Sequence, residues 1–339
     1  MSKAAEDIQN RIDNYFQTII AIVGFMNFYK FDSDQDPILL FQGRRLKPSG
    51  NGSDEPDFVT PDIGIMLPNS TGVLGEVKHT FPKDKKFWID AFNQVLKYDD
   101  DLTGWPNEKK IVSNHDLVLL THTSRSRAVV NFYREKKEAG DISFNRPFSI
   151  VEYNLVSERK NYFFFRIEEG VISDEQVNAK LQEGVPVPMT VLLFNYAAVK
   201  LYDDKPEVPY LMYLIWNHVV LEKASELEQF RNLRKNQKID VTLSIDEIVD
   251  TLRMGFSFRL LNSEYSDMQP HIPKKPWVKE ACQKFIEWNE AKWNDTEKST
   301  LTFKAHKQYK DTLKHFINAY VGEGNIGQAT LFDLDEPDQ

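Results

Sequence analysis

The chain has 339 residues, of which 41% are hydrophobic, enough to build two modest domains with real cores. The formal charge of −9 excludes a protein that coats nucleic acid by bulk charge, though a local basic groove needs no basic total. The single cysteine, Cys282, excludes an internal disulfide and any cysteine-based zinc cluster within the chain, and fits a reducing, cytoplasmic setting.

In chain order, residues 4–28 carry Ile8, Ile12, Tyr15, Phe16, Ile19, Val23 and Met26 at helical spacing, which predicts one long helix with a buried stripe. Its apolar run from Thr18 to Phe28 is too short to span a bilayer, and no signal peptide is visible. Residues 32–57 read as loop broken by Asp, Pro, Ser and Gly, with a short strand at 38–45 that ends in Arg44 and Arg45. These two cations suit a phosphate or a solvated loop end equally well. Next come Thr60-Pro61-Asp62-Ile63-Gly64-Ile65-Met66-Leu67 and, after the turn residues 68–72, Val73-Leu74-Gly75-Glu76-Val77-Lys78. The alternation predicts a hairpin with Ile63, Ile65 and Leu67 on one face and Asp62, Gly64 and Met66 on the other. On its second strand Leu74, Glu76 and Lys78 share a face. Two carboxylates and an ammonium therefore gather on one small surface. Carboxylate oxygens are the hard donors that Mg²⁺ prefers. Pro56-Asp57 is a competing Pro-Asp pair, but the strand pattern continues directly from Asp62.

Residues 79–86 form a basic connection in which Lys83 and Lys85 are candidate contacts to a nucleic-acid backbone. Residues 87–98 have helical spacing, with Gln94 and Tyr98 at i and i+4. Leu117 to Thr121 is a continuous apolar run suited to a buried strand, followed by residues 122–127 and a helix to about Ala139. Arg125 and Arg127, before that helix, are candidate phosphate contacts, while His115 and His122 read as surface or turn histidines. Two further strands are predicted at 148–156 and 161–167.

Pro61-Asp62 on one strand and Glu76-Val77-Lys78 on the next resemble the signature of the PD-(D/E)XK nuclease superfamily. Gln94-x-x-x-Tyr98 resembles the helix motif of its exonuclease-like branch. The resemblance covers about the first half of the chain. It implies an α/β fold, a restriction-endonuclease-like mixed sheet flanked by helices. It implies a Mg²⁺-dependent deoxyribonuclease, with Mn²⁺ able to substitute. Asp62, Glu76 and the carbonyl of Val77 would hold the metal, Lys78 would position the attacking water, and Gln94 would orient the site. Tyr98 would support substrate contacts. An acidic residue of the first helix often joins such sites; Asp13 is preferred over Glu6, because it lies deeper in the helix beside the stripe. By analogy with nucleases that carry appended modules, the role would lie in restriction, phage defence or DNA repair. The alternative is a catalytically silent nuclease fold that binds DNA or serves assembly.

Beyond residue 170 the pattern changes. A helix is predicted from Asp174 to Leu181, a stiff break at Val185-Pro186-Val187-Pro188, and an apolar stretch at 190–199. Helices follow at 210–232, from the capping box Ser244-Ile245-Asp246-Glu247 to about Arg253, at 277–293 and at 303–320. The expected organisation is a nuclease-like domain at 1–170, a connecting segment at 171–205, a mainly helical, winged-helix-like domain at 206–322 and a tail at 323–339. In the tail, Gln328, Leu331 and Phe332 resemble the anchors by which bacterial replication proteins dock on the sliding clamp. Expected partners are DNA and a protein met through the C-terminal domain or tail, either a clamp or a defence-complex subunit. A homodimer stays open, and no membrane is expected.

Overall fold

The computed structural model describes residues 2–32, 39–49, 58–68, 70–106, 112, 114–156, 162–188, 199–234, 237–257, 271–306 and 311–322. Pro56-Asp57, most of the apolar stretch at 190–199 and the tail anchors Gln328, Leu331 and Phe332 lie outside them. The chain divides into a sheet unit running from Phe16 to Asp203 and a second unit built from Met1–Tyr15, Asp204–Ser257 and the described residues from His271 onward.

Helix α1 (Lys3–Asp32) extends about a turn beyond its expected end. In the sheet unit, α1 is followed by β1 (Leu39–Phe41), β2 (Lys47–Pro48), β3 (Ile63–Met66), β4 (Thr71–Lys78) and α2 (Lys85–Leu96). Next come β5 (Leu102–Thr103), β6 (Asn114–His122), α3 (Thr123–Glu138), β7 (Phe148–Val156), β8 (Tyr162–Gly170), α4 (Glu175–Glu183) and β9 (Val185–Pro188). Seven strands form one mixed sheet in the order β1-β3-β4-β6-β7-β8-β9. The β4–β6 and β6–β7 pairs are parallel and the others antiparallel. β2 and β5 pair separately.

Each face of the sheet has its own cover. Leu74, Leu117, Leu119, Phe148 and Ile150 join Phe92 and Val95 of α2 and Val129, Phe132 and Tyr133 of α3 in one buried cluster. On the other face α1 brings Phe25 against Phe165, ring centroids 5.9 Å apart. Gly64 is a glycine because Phe41 of β1 lies over it: a Cβ there would overlap the ring.

Three expectations need correcting in this unit. Residues 122–127 are not a loop before a helix, because α3 begins at Thr123 with the His122 side chain accepting from Ser124 N. Val185-Pro186-Val187-Pro188 is not a break but the edge strand β9, with Val187 opposite Phe163. Proline cannot donate to a ladder, so an edge is where a sheet tolerates it. As a result the expected connecting segment supplies α4 and β9, and the sheet unit does not end near residue 170.

In the second unit the helix expected at 210–232 divides. It runs as α5 (Val208–Ile215), a π-helical turn (Trp216–Val220), α6 (Leu221–Ser225) and α7 (Glu228–Arg231). β10 (Ile239–Ser244) leads into α8 (Ile245–Phe256), whose capping box is formed as the sequence predicts. α9 (Lys275–Glu287) stops short of Trp293, because Ala291–Trp293 is strand β11. β12 (Thr300–Ala305) replaces the first part of the helix expected at 303–320, leaving α10 (Thr312–Tyr320). These strands form an antiparallel sheet in the order β10-β12-β11. Among the described residues the unit is mainly helical, as expected, with this small sheet added to it. Among the described residues no helix is long and apolar enough to cross a membrane.

Candidate active site

The hairpin register pairs Ile63 with Gly75 and Gly64 with Leu74. Alternation from the Gly64–Leu74 pair puts Asp62 and Glu76 on the face covered by α2 and α3. Both carboxylates are buried, Asp62 4% and Glu76 2% exposed. β3 begins at Ile63, so Val77, two residues past the partner of Ile63, has no strand residue opposite it on the β3 side, while β6 pairs with it on the other. Asp62 takes that place: its Oδ2 accepts the Val77 N–H at 2.9 Å. An extended residue sends its N–H and C=O to the same side, so the Val77 carbonyl leaves the strand toward Asp62 as well.

Glu76 is held at both oxygens. Lys78 Nζ donates to Oε1 at 2.6 Å, and the Tyr98 hydroxyl donates to Oε2 at 2.7 Å. Tyr98 also lies 3.2 Å from the Thr60 carbonyl, two residues before Asp62. Tyr98 sits just past the end of α2, where its N–H still bonds Val95 O at 2.9 Å. Burial, and after it the charges of Glu76 and Asp62, hold the phenol well above its ordinary range, so it stays a neutral donor. The Gln94 side chain, one turn back on α2, acts on the phenol in the opposite, lowering sense. A chain of bonds thus runs from Tyr98 through Glu76 to Lys78, which is 24% exposed and closes it from the solvent side.

The other expected residues are placed as follows. Lys83 and Lys85 are exposed at the start of α2, with Lys85 Nζ 6.0 Å from the Phe132 ring centroid. Arg125 and Arg127 are exposed on the first turn of α3. Arg44 donates to the Gly104 carbonyl, and the Arg45 guanidinium stands 5.8 Å over the Phe58 ring. Asp13 lies in the part of α1 that groups with the second unit, is exposed, and accepts from Gln9 Nε2 at 2.9 Å. Among the described residues no group of three or more His, Cys, Asp or Glu side chains is placed to hold a metal ion. Two carboxylates and one carbonyl still suit Mg²⁺, which keeps several of its own waters and needs few protein ligands.

Two neighbouring groups escape sequence reasoning. Register sets Lys78, Thr121 and Glu152 in a row across the three parallel strands. Glu152 is buried; its Oε2 accepts from Thr123 Oγ1 at 3.0 Å and Ser126 Oγ at 2.6 Å, and its Oε1 from Arg166 at 2.8 Å. It fastens the first turn of α3, and with it Arg125 and Arg127, to the sheet. The signal for it was a lone carboxylate inside an apolar strand. On the opposite face, His79 Nδ1 lies 2.9 Å from the Tyr153 hydroxyl, and the His79 and His122 rings are 4.7 Å apart. Burial, and then His122, lower His79 to about 4, so this pair is neutral at pH 7. His115 is no surface histidine: it is buried, 2.7 Å from the Tyr98 carbonyl through Nε2, and burial lowers it to about 4.

No family profile, curated protein or solved structure matches the chain.

Proposed function

We propose that the chain is a Mg²⁺-dependent deoxyribonuclease of the PD-(D/E)XK type, with the corner of Asp62, Glu76 and Lys78 as its centre. The observation that carries this reading is the placement of Asp62 and Glu76 on one face at the end of one hairpin, with Lys78 and Tyr98 each bonded to Glu76. Asp62, Glu76 and the Val77 carbonyl would hold the metal. When bound, Mg²⁺ supplies Lewis-acid polarisation of the phosphodiester and a lower pKa for an attacking water. Hydrolysis joins the water oxygen to phosphorus, breaks one P–O ester bond, and leaves a proton to be taken by the departing oxygen. Lys78 presents an ammonium to the water or to charge growing on phosphorus. Tyr98 fixes the rotamer of Glu76, so that little reorganisation is needed during reaction, and Gln94 would orient the site from beside the phenol. Mn²⁺ is expected to replace Mg²⁺. Arg125, Arg127, Lys83 and Lys85 would hold the phosphate backbone without reading its sequence.

The second unit supports DNA as the substrate. Among the described residues its succession of helix, strand, two helices and a strand hairpin, with β12 between β10 and β11, resembles a winged-helix module. A cytoplasmic role in restriction, phage defence or repair fits these parts.

A second reading has its own observation. Both carboxylates already have partners within the protein: Glu76 has Lys78 and Tyr98, and Asp62 has the Val77 amide. A silent DNA-binding or assembly subunit would look like this too. Incubation of linear, circular and branched DNA with the protein and Mg²⁺ or Mn²⁺ separates the two. Cleavage by the wild type that falls at least about 100-fold in Asp62→Asn and Glu76→Gln supports the nuclease. Cleavage that persists in both variants rejects the site, and DNA binding without cleavage in any form selects the silent subunit.

A further inference from the structure

We infer that α2 carries a stacking shelf for a single-stranded segment of nucleic acid, with Phe87 as the ring and Lys83 and Lys86 as the backbone clamps. The inference rests on the nuclease reading for its direction, but its central contact does not depend on chemistry at Glu76. Phe87 is 58% exposed, on a helix whose other aromatic residues, Trp88 and Phe92, pack inward. It precedes Gln94 by seven residues, two turns along nearly the same helix face. At about 1.5 Å per residue the ring stands roughly 10 Å along the helix from Gln94, one turn before the Tyr98 that holds Glu76. Strand phosphates repeat about every 3.4 Å in stacked form, so a base some three nucleotides from the scissile bond meets this ring.

The surroundings fit a polyanion with flat bases. Lys83 and Lys86 are exposed beside Phe87 and head the helix with its positive dipole end. The segment is rigid where it matters: Trp88 Nε1 donates to the Pro82 carbonyl at 2.6 Å, and the Asp84 side chain caps Lys86 N at 3.0 Å. Trp88 itself is wedged between Phe81 and Phe132, centroids 5.3 and 5.4 Å away. Asp84 and Asp90, both exposed and three residues to either side of Phe87, are the opposing charges along this segment, and Asp84 is engaged in the helix cap. An exposed ring flanked by amines stacks any base and prefers none, and a base can reach it only when it is not paired in a duplex. The substrate this predicts is DNA with a single-stranded end or gap rather than a blunt duplex.

The test is fluorescence anisotropy of the full-length protein in EDTA, so that no cleavage occurs, on a labelled 20-mer as single strand, as blunt duplex and as duplex with an overhang. Phe87→Ala should weaken single-strand and overhang binding roughly 5- to 100-fold and leave blunt-duplex binding unchanged. Phe87→Trp should preserve or tighten it. Lys83→Ala with Lys86→Ala should flatten the single-strand salt dependence by about 1.4 in log–log slope, about 0.7 for each phosphate no longer neutralised. Asp90→Asn should tighten binding. Val171→Ala, a comparably exposed apolar side chain of the sheet unit outside α2, should change nothing. Equal affinity of wild type and Phe87→Ala for the single strand, equal losses on all three ligands, or no binding of the single strand by the wild type would each overturn the shelf. Loss of single-strand binding in Phe87→Ala, in a protein that never cleaves, would uphold the shelf while the nuclease reading fails.

Discussion

Glu76 is the residue on which the site turns. It is a buried carboxylate satisfied by one ammonium and one phenol, and each partner limits where its oxygens can point. Tyr98→Phe removes the bond to Oε2 while keeping the ring. A buried acceptor left short of a donor costs about 1–3 kcal/mol, so urea unfolding should show a loss of that size, and cleavage should fall with it. The same geometry explains what could be seen in the sequence. Strand parity alone puts Asp62 and Glu76 on one face, so that part was legible. The bond from Tyr98 to Glu76 was not, because it depends on how α2 lies on the sheet. Glu152 was equally hidden: a carboxylate inside an apolar strand announces a buried partner, but Ser126 and Arg166 come from a helix and a strand that only the fold brings together.

At the scale of elements, the sheet decides what periodicity leaves open. Residues 300–305 alternate as a strand does, yet they precede a helical pattern that extends over them by spacing alone; their pairing with β10 and β11 makes them β12. The four-residue β9 reads as a proline-rich break until the ladder of β8 is there to receive it. The hairpin and the capping box, by contrast, are set by local chemistry and were readable. Two measurements probe elements directly. Gly64→Ala pushes a methyl group into the Phe41 ring at the β1–β3 contact, and overpacking of that kind costs about 1–3 kcal/mol in a denaturant titration. Ser244→Ala removes the acceptor for Glu247 N and should cost about 1 kcal/mol, seen as a lower melting temperature.

For the whole molecule, acidification is the most telling stress. His115 is buried and lowered to about 4 from an ordinary value of 6.5. The unfolded chain therefore binds the proton more readily between these values. The contribution is fully present above about pH 6.5 and is lost as pH falls toward about 4, with His79 acting in the same sense. Urea titrations across that window should show stability dropping, and His115→Gln should flatten the curve by roughly 1 kcal/mol per pH unit. Division into two units is expected from the sequence, but its boundary is not, because β9 and residues 3–15 of α1 join their units through packing that no local composition marks.

The account as a whole stands on Asp62 and Glu76 sharing one cation. Electron paramagnetic resonance of Mn²⁺ titrated into the full-length protein measures this without DNA. One Mn²⁺ per chain, displaced by Mg²⁺ and lost in both Asp62→Asn and Glu76→Gln, is the predicted result. Mn²⁺ binding that is the same in wild type and both variants, or absent from the wild type, would contradict it.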